Sequence, residues 1–157
     1  MIHLELQTEI AAPLERCFDL ARSIDLHTRS TSWTGEQAIA GITSGLIGSG
    51  QEVTWKGRHF GLVLEHTSRI TEYDRPRYFR DQMVKGQFRS FDHEHFFEKH
   101  EAKTLMRDVV RFEAPLGFVG RVAEKLILEN HIRKLLLRRN EHIRRVAEGE
   151  DWKGYVV

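Results

Sequence analysis

Cysteine occurs once in this chain, at Cys17, and proline three times in 157 residues. A single cysteine excludes an internal disulfide framework and fits a reducing compartment. Cys17 sits among apolar residues in "LERCFDLA", the setting of a buried, inert thiol. Scarce proline, with 40% hydrophobic and 30% charged residues, argues against long disordered tails. Neither charge sign is in excess. Lys+Arg number 24 and Asp+Glu 23, so no broad basic field makes nucleic acid the default partner. No run approaches the roughly 18 apolar residues of a membrane span. The start, "MIHLELQTEI", lacks the basic stretch and apolar core of a signal peptide. A nucleotide phosphate loop, a dinucleotide fingerprint and a nucleophile–base–acid spacing are all missing. The expectation is a soluble, cytoplasmic protein, one domain over residues 1–157, with its oligomeric state left open.

What is there reads first as strands. Ile2, Leu4, Leu6 and Ile10 alternate with polar residues, a half-buried strand. Pro13 suits the first turn of a helix carrying Leu14, Cys17, Phe18 and Ala21, and Ser23 suits the cap of a second short helix. "GITSGLIGSGQEVTW" is dense in glycine and reads as a hairpin or a flexible rim. Strands are then predicted around Val53 and Trp55, from Phe60 through Leu62 and Leu64 to Ile70, around Phe79 to Met83, over Phe91 to Phe97, and around Met106 to Phe112. Breaks fall at Gly57–His59, Asp74–Pro76, Gly86-Gln87 and His100–Lys103.

After Pro115 the spacing predicts a helix of about thirty residues with an apolar stripe. The stripe runs through Val119, Val122, Ala123, Leu126, Ile132, Leu135, Leu136, Ile143 and Val146. Its other faces carry Arg121, Lys125, Arg133, Lys134, Arg138, Arg139, Arg144 and Arg145, interrupted by Glu124, Glu129, Glu141 and Glu148, which reads as a solvated face. The architecture is α+β: a strongly curved antiparallel sheet of about seven strands closing on the final helix, with one or two short helices after the first strand. Such a sheet tends to leave a cavity against its helix.

The stretches "TEIAAPLERCFDLARSID", "EVTWKGRHFG", "SRITEYDRPRYFRDQMVKG", "FDHEHFFE" and "TLMRDVVRFEAPLG", with the long final helix, resemble the START-like, helix-grip superfamily, also labelled SRPBCC or polyketide cyclase/lipid-transport. The resemblance covers nearly the whole chain and implies the helix-grip fold with a ligand cavity. Its members range from lipid and sterol carriers to aromatase/cyclases, so the site has to be argued separately.

The densest chemistry lies in "FDHEHFFEKHE", Phe91 to Glu101. Alternation places Phe91, His93, His95 and Phe97 on one face, and Asp92, Glu94, Phe96 and Glu98 on the other. With a hairpin closing at His100 to Lys103, Phe97 pairs with Met106, His95 with Asp108, His93 with Val110 and Phe91 with Phe112. A turn at Gly86-Gln87 sets Met83 opposite Phe91, Asp81 opposite His93 and Phe79 opposite His95. Asp81, His93, His95 and Asp108 then form a polar island on an apolar concave face, with His95–Asp108 as its central pair.

Three readings of that island stand side by side: satisfied polar pairs in the core wall, polar contacts orienting an apolar ligand, and acid/base or metal chemistry. Spacing secures no third metal ligand, so neither metal nor cofactor is assigned. The expected partner is a small, largely apolar ligand. The predicted wall is Trp55, Leu62, Leu64, Phe79, Met83, Phe91, Phe97, Val110 and Phe112, with Asp81, His93, His95 and Asp108 as polar contacts. Should the protein be an enzyme, the alternative is a cyclase, dehydratase or isomerase with His93, His95 and Asp108 as catalytic candidates. His59 is read as a turn or pocket-edge residue, His66 as a core or cavity-rim histidine, and Trp33 as a lid over the cavity mouth.

Overall fold

Alternation, turn chemistry and one long amphipathic segment generate the architecture of the computed structural model, which describes residues 1–115 and 122–156. The elements follow as β1 (Ile2–Ile10), α1 (Leu14–Ala21), α2 (Ile24–Ser30), β2 (Gln37–Gly41), β3 (Glu52–His59), β4 (Leu62–Asp74), β5 (Tyr78–Lys85), β6 (Ser90–His100), β7 (Lys103–Glu113) and α3 (Val122–Glu148). Val119 and Arg121 of the predicted helix lie outside the described residues, as do the side chains of Ala123 and Glu124. No described helix is long and apolar enough to cross a membrane.

The seven strands form one antiparallel sheet in the order β1-β7-β6-β5-β4-β3-β2. Strands β2 to β7 meander, and β1 joins the far edge beside β7, pairing from Ile2↔Phe112 to Ile10↔Thr104. The β6–β7 register is the one alternation demands: Phe91↔Phe112, His93↔Val110, His95↔Asp108 and Phe97↔Met106. On the other side Asp81 lies opposite His93 and Phe79 opposite His95, again as expected.

The short helices follow their local signals. Ser23 caps α2, its Oγ accepting from the Leu26 amide at 3.2 Å. The glycine-rich segment docks onto the start of that helix, where the Gly45 amide donates to Asp25 and its carbonyl accepts from the Ile24 amide.

Two expectations about this half of the sheet need correction. Gly57 breaks nothing; it lies inside β3 opposite Leu64. A Cβ there would come within 3.3 Å of the Glu36 backbone, so the glycine makes room for a close approach rather than a turn. The turn falls at Phe60-Gly61, both with positive φ (53° and 75°), which is the two-residue hairpin geometry that suits twisted strands. Phe60 is therefore a hairpin tip and not the first residue of β4. The edge strand β2 carries no predicted alternation, because most of it is exposed and packing does not select its side chains.

Two apolar clusters hold the layers together. Phe18, Leu20 and Ile24 from the short helices pack on Phe79, Phe97 and Met106 of the sheet and on Ile143 and Val146 of α3. The second joins Leu4, Val110 and Phe112 to Leu128, Ile132 and Leu136 of α3. Cys17 is fully buried in the first, and burial pushes its thiol up to about 11, as expected for an inert residue. The space between sheet, α2 and α3 is left incompletely filled.

Candidate functional site

That space is a cavity of about 420 Å³, within the range of small-molecule sites. Of the side chains predicted for its wall, Trp55, Leu62, Leu64, Phe79 and Phe91 line it, together with Asp81, His93 and His95. Leu62 stands at the open rim and is 62% exposed.

The other predicted residues sit elsewhere, each for a packing reason. Phe97 is covered by α1, its ring 5.3 Å from that of Phe18. Val110 and Phe112 are fully buried between the sheet and α3, with Phe91 stacked over Phe112. Met83 turns toward the β5–β6 loop, where its sulfur lies closest to the space beside Gly86. Asp108 is completely buried behind the two histidines.

The polar island forms, and the expected His95–Asp108 contact is joined by two shorter diagonal bonds. His93 Nε2 donates to Asp108 Oδ1 at 2.8 Å, and His95 Nε2 donates to Asp81 Oδ2 at 2.7 Å. Each imidazole thus bonds through Nε2 to the carboxylate diagonal to it, since strand twist brings diagonal neighbours within reach of long side chains, while His95 Nδ1 also lies 3.3 Å from Asp108 Oδ1 directly across. The two rings stack at 3.7 Å, and Phe79 stacks on His95 at 4.0 Å. Ser68 donates to the remaining Asp81 oxygen at 3.0 Å.

Sequence reasoning placed Arg139 on the solvated face of the last helix; instead it is buried and points into this cluster. Its guanidinium lies 3.4 Å from Asp108 Oδ1 and 3.4 Å from His95 Nδ1, and donates to the Ala21 carbonyl and to Asn140 Oδ1. Asn140 donates to Asp108 Oδ2 at 2.7 Å. The signal was present. Leu128, Ile132, Leu136, Arg139, Ile143 and Val146 follow helical spacing, so Arg139 occupies a core position of the stripe.

Electrostatically the cluster is closed. Burial works against ionised Asp108, yet the hydrogen bonds from His93 and His95 and the Arg139 charge hold its carboxyl well below its usual range. Asp81 is held low against burial in the same way, by His95 and His93. Burial, reinforced by the neighbouring His95, lowers His93, which keeps its imidazole neutral. Because Asp108 only accepts, Nε2 of His93 carries the hydrogen and Nδ1 carries the lone pair. That Nδ1 has no hydrogen-bond partner among the described residues, and His93 lines the cavity.

Asp81, His93 and His95 also bring one donor atom each within 4.8 Å, close enough for a metal ion. His93 could offer its free Nδ1, but His95 spends Nε2 on Asp81 and turns Nδ1 to Arg139, so a cation would have to displace a His95 contact beside a fixed guanidinium. The donor set suits a neutral polar group better.

No family model and no curated protein matches the chain. Solved structures do. TTHA0849 from Thermus thermophilus superposes with a TM-score of 0.70 at 16% identity, over 90% of this chain and 97% of that one. Ginseng major latex-like protein 151 from Panax ginseng gives 0.66 at 17%, over 94% and 98%. Ms6760 from Mycobacterium smegmatis gives 0.63 at 17%, over 92% and 89%. The chain has the helix-grip fold. At these identities the likeness is one of fold, as the START-like resemblance implied, and the helix-grip cavity is furnished by this chain's own residues.

The helix-grip mouth holds further groups that sequence reasoning left unassigned. Glu36, His27 and His131 line the cavity with His59 and His66. Trp33 rests on α3, its ring 5.9 Å from that of His131 with Arg138 stacked on it, and does not line the cavity. Glu36 offers no local signal, because it stands in a polar loop between helix and strand.

Proposed function

We propose that this protein binds a small, largely apolar molecule in the helix-grip cavity. In this reading Trp55, Leu64, Phe79 and Phe91 form the wall, and His93 and Asp81 orient the ligand. The observation that carries it is one space of about 420 Å³, walled mainly by apolar side chains, with a hydrogen-bonded polar cluster at its inner end that leaves His93 Nδ1 facing the space. Native mass spectrometry of the purified protein, with displacement of a fluorescent apolar probe, tests it. Retention or saturable uptake of an apolar molecule is the expected result. Consistent failure of any such molecule to bind would overturn the reading.

One geometric feature favours an enzymatic version of the same site. His93 is a neutral imidazole whose Nε2–H is fixed by Asp108 and whose Nδ1 lone pair is unengaged, the arrangement of a general base. A cyclase, dehydratase or isomerase would use it to remove a proton from an activated carbon or a hydroxyl. His93→Phe then abolishes turnover while ligand affinity changes less than about tenfold. In a pure binder the same change lowers affinity and there is no turnover to lose.

A further inference from the structure

The cavity is polar at both ends. Away from the His93 cluster, at the mouth, Glu36 accepts from His27 Nε2 at 2.9 Å, and His59 Nε2 lies 3.6 Å from its other oxygen. His59 Nδ1 and His131 Nε2 share a hydrogen bond of 2.9 Å, which links the hairpin β3–β4 to α3. Burial opposes ionisation of Glu36, yet the bonds from His27 and His59 hold its carboxyl well below the usual range. A carboxylate has about four acceptor positions; among the described residues His27 fills one with a hydrogen bond, and His59 faces the other oxygen at 3.6 Å. Between the two ends the wall carries Trp55 and, across from it, His66, while Val53 and Ile70 line the inner end.

The separation follows from strand geometry. Gly57, against which Glu36 packs, pairs with Leu64, and Ser68, which bonds Asp81, lies four residues further along β4. At about 3.3 Å per residue Leu64 and Ser68, the β4 positions level with the two polar ends, stand roughly 13 Å apart along the strand.

Both ends present acceptors. At the inner end the unengaged atom is the His93 lone pair, backed by the carboxylates of Asp81 and Asp108; at the outer end it is the Glu36 carboxylate. The buried guanidinium of Arg139 is already bonded to Asp108, Asn140 and Ala21. An anionic ligand would meet carboxylates at either end with no free buried cation among the described residues. Resting on the reading that the cavity binds an apolar molecule, we propose that its ligand class is an elongated neutral molecule with a hydroxyl-type donor at each end, and not a fatty acid.

A matched set of rigid probes separates the possibilities: 4,4′-dihydroxystilbene, 4-hydroxystilbene, stilbene and stilbene-4-carboxylate, titrated by fluorescence against the wild-type protein. Each satisfied buried donor is worth about tenfold in affinity, so the dihydroxy probe binds about tenfold tighter than the monohydroxy one, and the carboxylate binds weakest. In Glu36→Gln and in His93→Phe the advantage of the second hydroxyl shrinks to less than about threefold. Equal affinity of all neutral probes overturns the two-ended proposal and leaves the apolar-ligand reading standing. So does tightest binding of the carboxylate. Failure of every probe, stilbene included, overturns both. The wild-type series decides the matter even where a variant does not fold.

Discussion

Both faces of β6 carry side chains paired with partners of opposite charge or polarity on neighbouring strands, in opposite surroundings. On the outer face Asp92 pairs with Arg80 and Glu94 with Arg111, all partly exposed. On the inner face, one residue away, His93 and His95 pair with Asp108 and Asp81 beneath α3. Outside, water solvates each charge whether or not its partner is present, so such pairs contribute little. Inside, every ionised group depends on its neighbours, because removing a partner leaves a buried charge uncompensated. Polar pairs of similar length on one strand therefore differ in consequence chiefly through their surroundings.

The sharpest way to break this comparison is Asp108→Ala. It strands Arg139, Asn140 and His93 without their common acceptor and costs about 3–5 kcal/mol by denaturant unfolding. A loss below about 1 kcal/mol would mean that the inner cluster is solvated like the outer one.

A smaller effect separates the faces by pH. Burial lowers His93 below its ordinary 6.5 in the folded state, and His66 and His131 shift the same way for the same first cause. The unfolded chain then binds more protons than the folded one, so stability is full above about pH 6.5 and falls as pH drops through it. Thermal unfolding between about pH 8 and pH 5.5 measures this slope. His93→Phe makes it shallower, whereas Asp92→Asn leaves it unchanged. A slope insensitive to His93→Phe would show that the inner face does not titrate as a buried site.

The smallest effect is on the outer face. Asp92→Asn removes the Arg80 partner and costs about 0.2–1 kcal/mol by denaturant unfolding, diminishing with added salt. A loss comparable to that of Asp108→Ala would erase the distinction between the faces.

Much of this was legible in the residues. Two-residue alternation assigned the faces of Phe91–Phe97, and matching apolar partners selected the register from Phe91↔Phe112 to Phe97↔Met106. The position of Arg139 was legible too, through its phase with Leu136 and Ile143, but its place in a basic run disguised it. Glycine misled at Gly57, because a residue without a side chain serves close packing as readily as a turn. Glu36 had no signal, since nothing local states which distant histidines a loop carboxylate will meet. Of the four expected wall residues that do not line the cavity, Met83 turns to the β5–β6 loop, and Phe97, Val110 and Phe112 faced the correct side of the sheet. There, α1 and α3 had already covered them.

By itself the sequence determined periodicity, and with it which residues share a face and which strands pair in which register, because those follow from backbone geometry that repeats every two residues or about 3.6. Only the tertiary structure decided partners: His93 with Asp108, His95 with Asp81, Arg139 into the core, and Glu36 to the cavity mouth. Hydrogen bonds are won or lost over a few tenths of an ångström, and those distances depend on sheet twist and on how deeply α3 settles against the sheet.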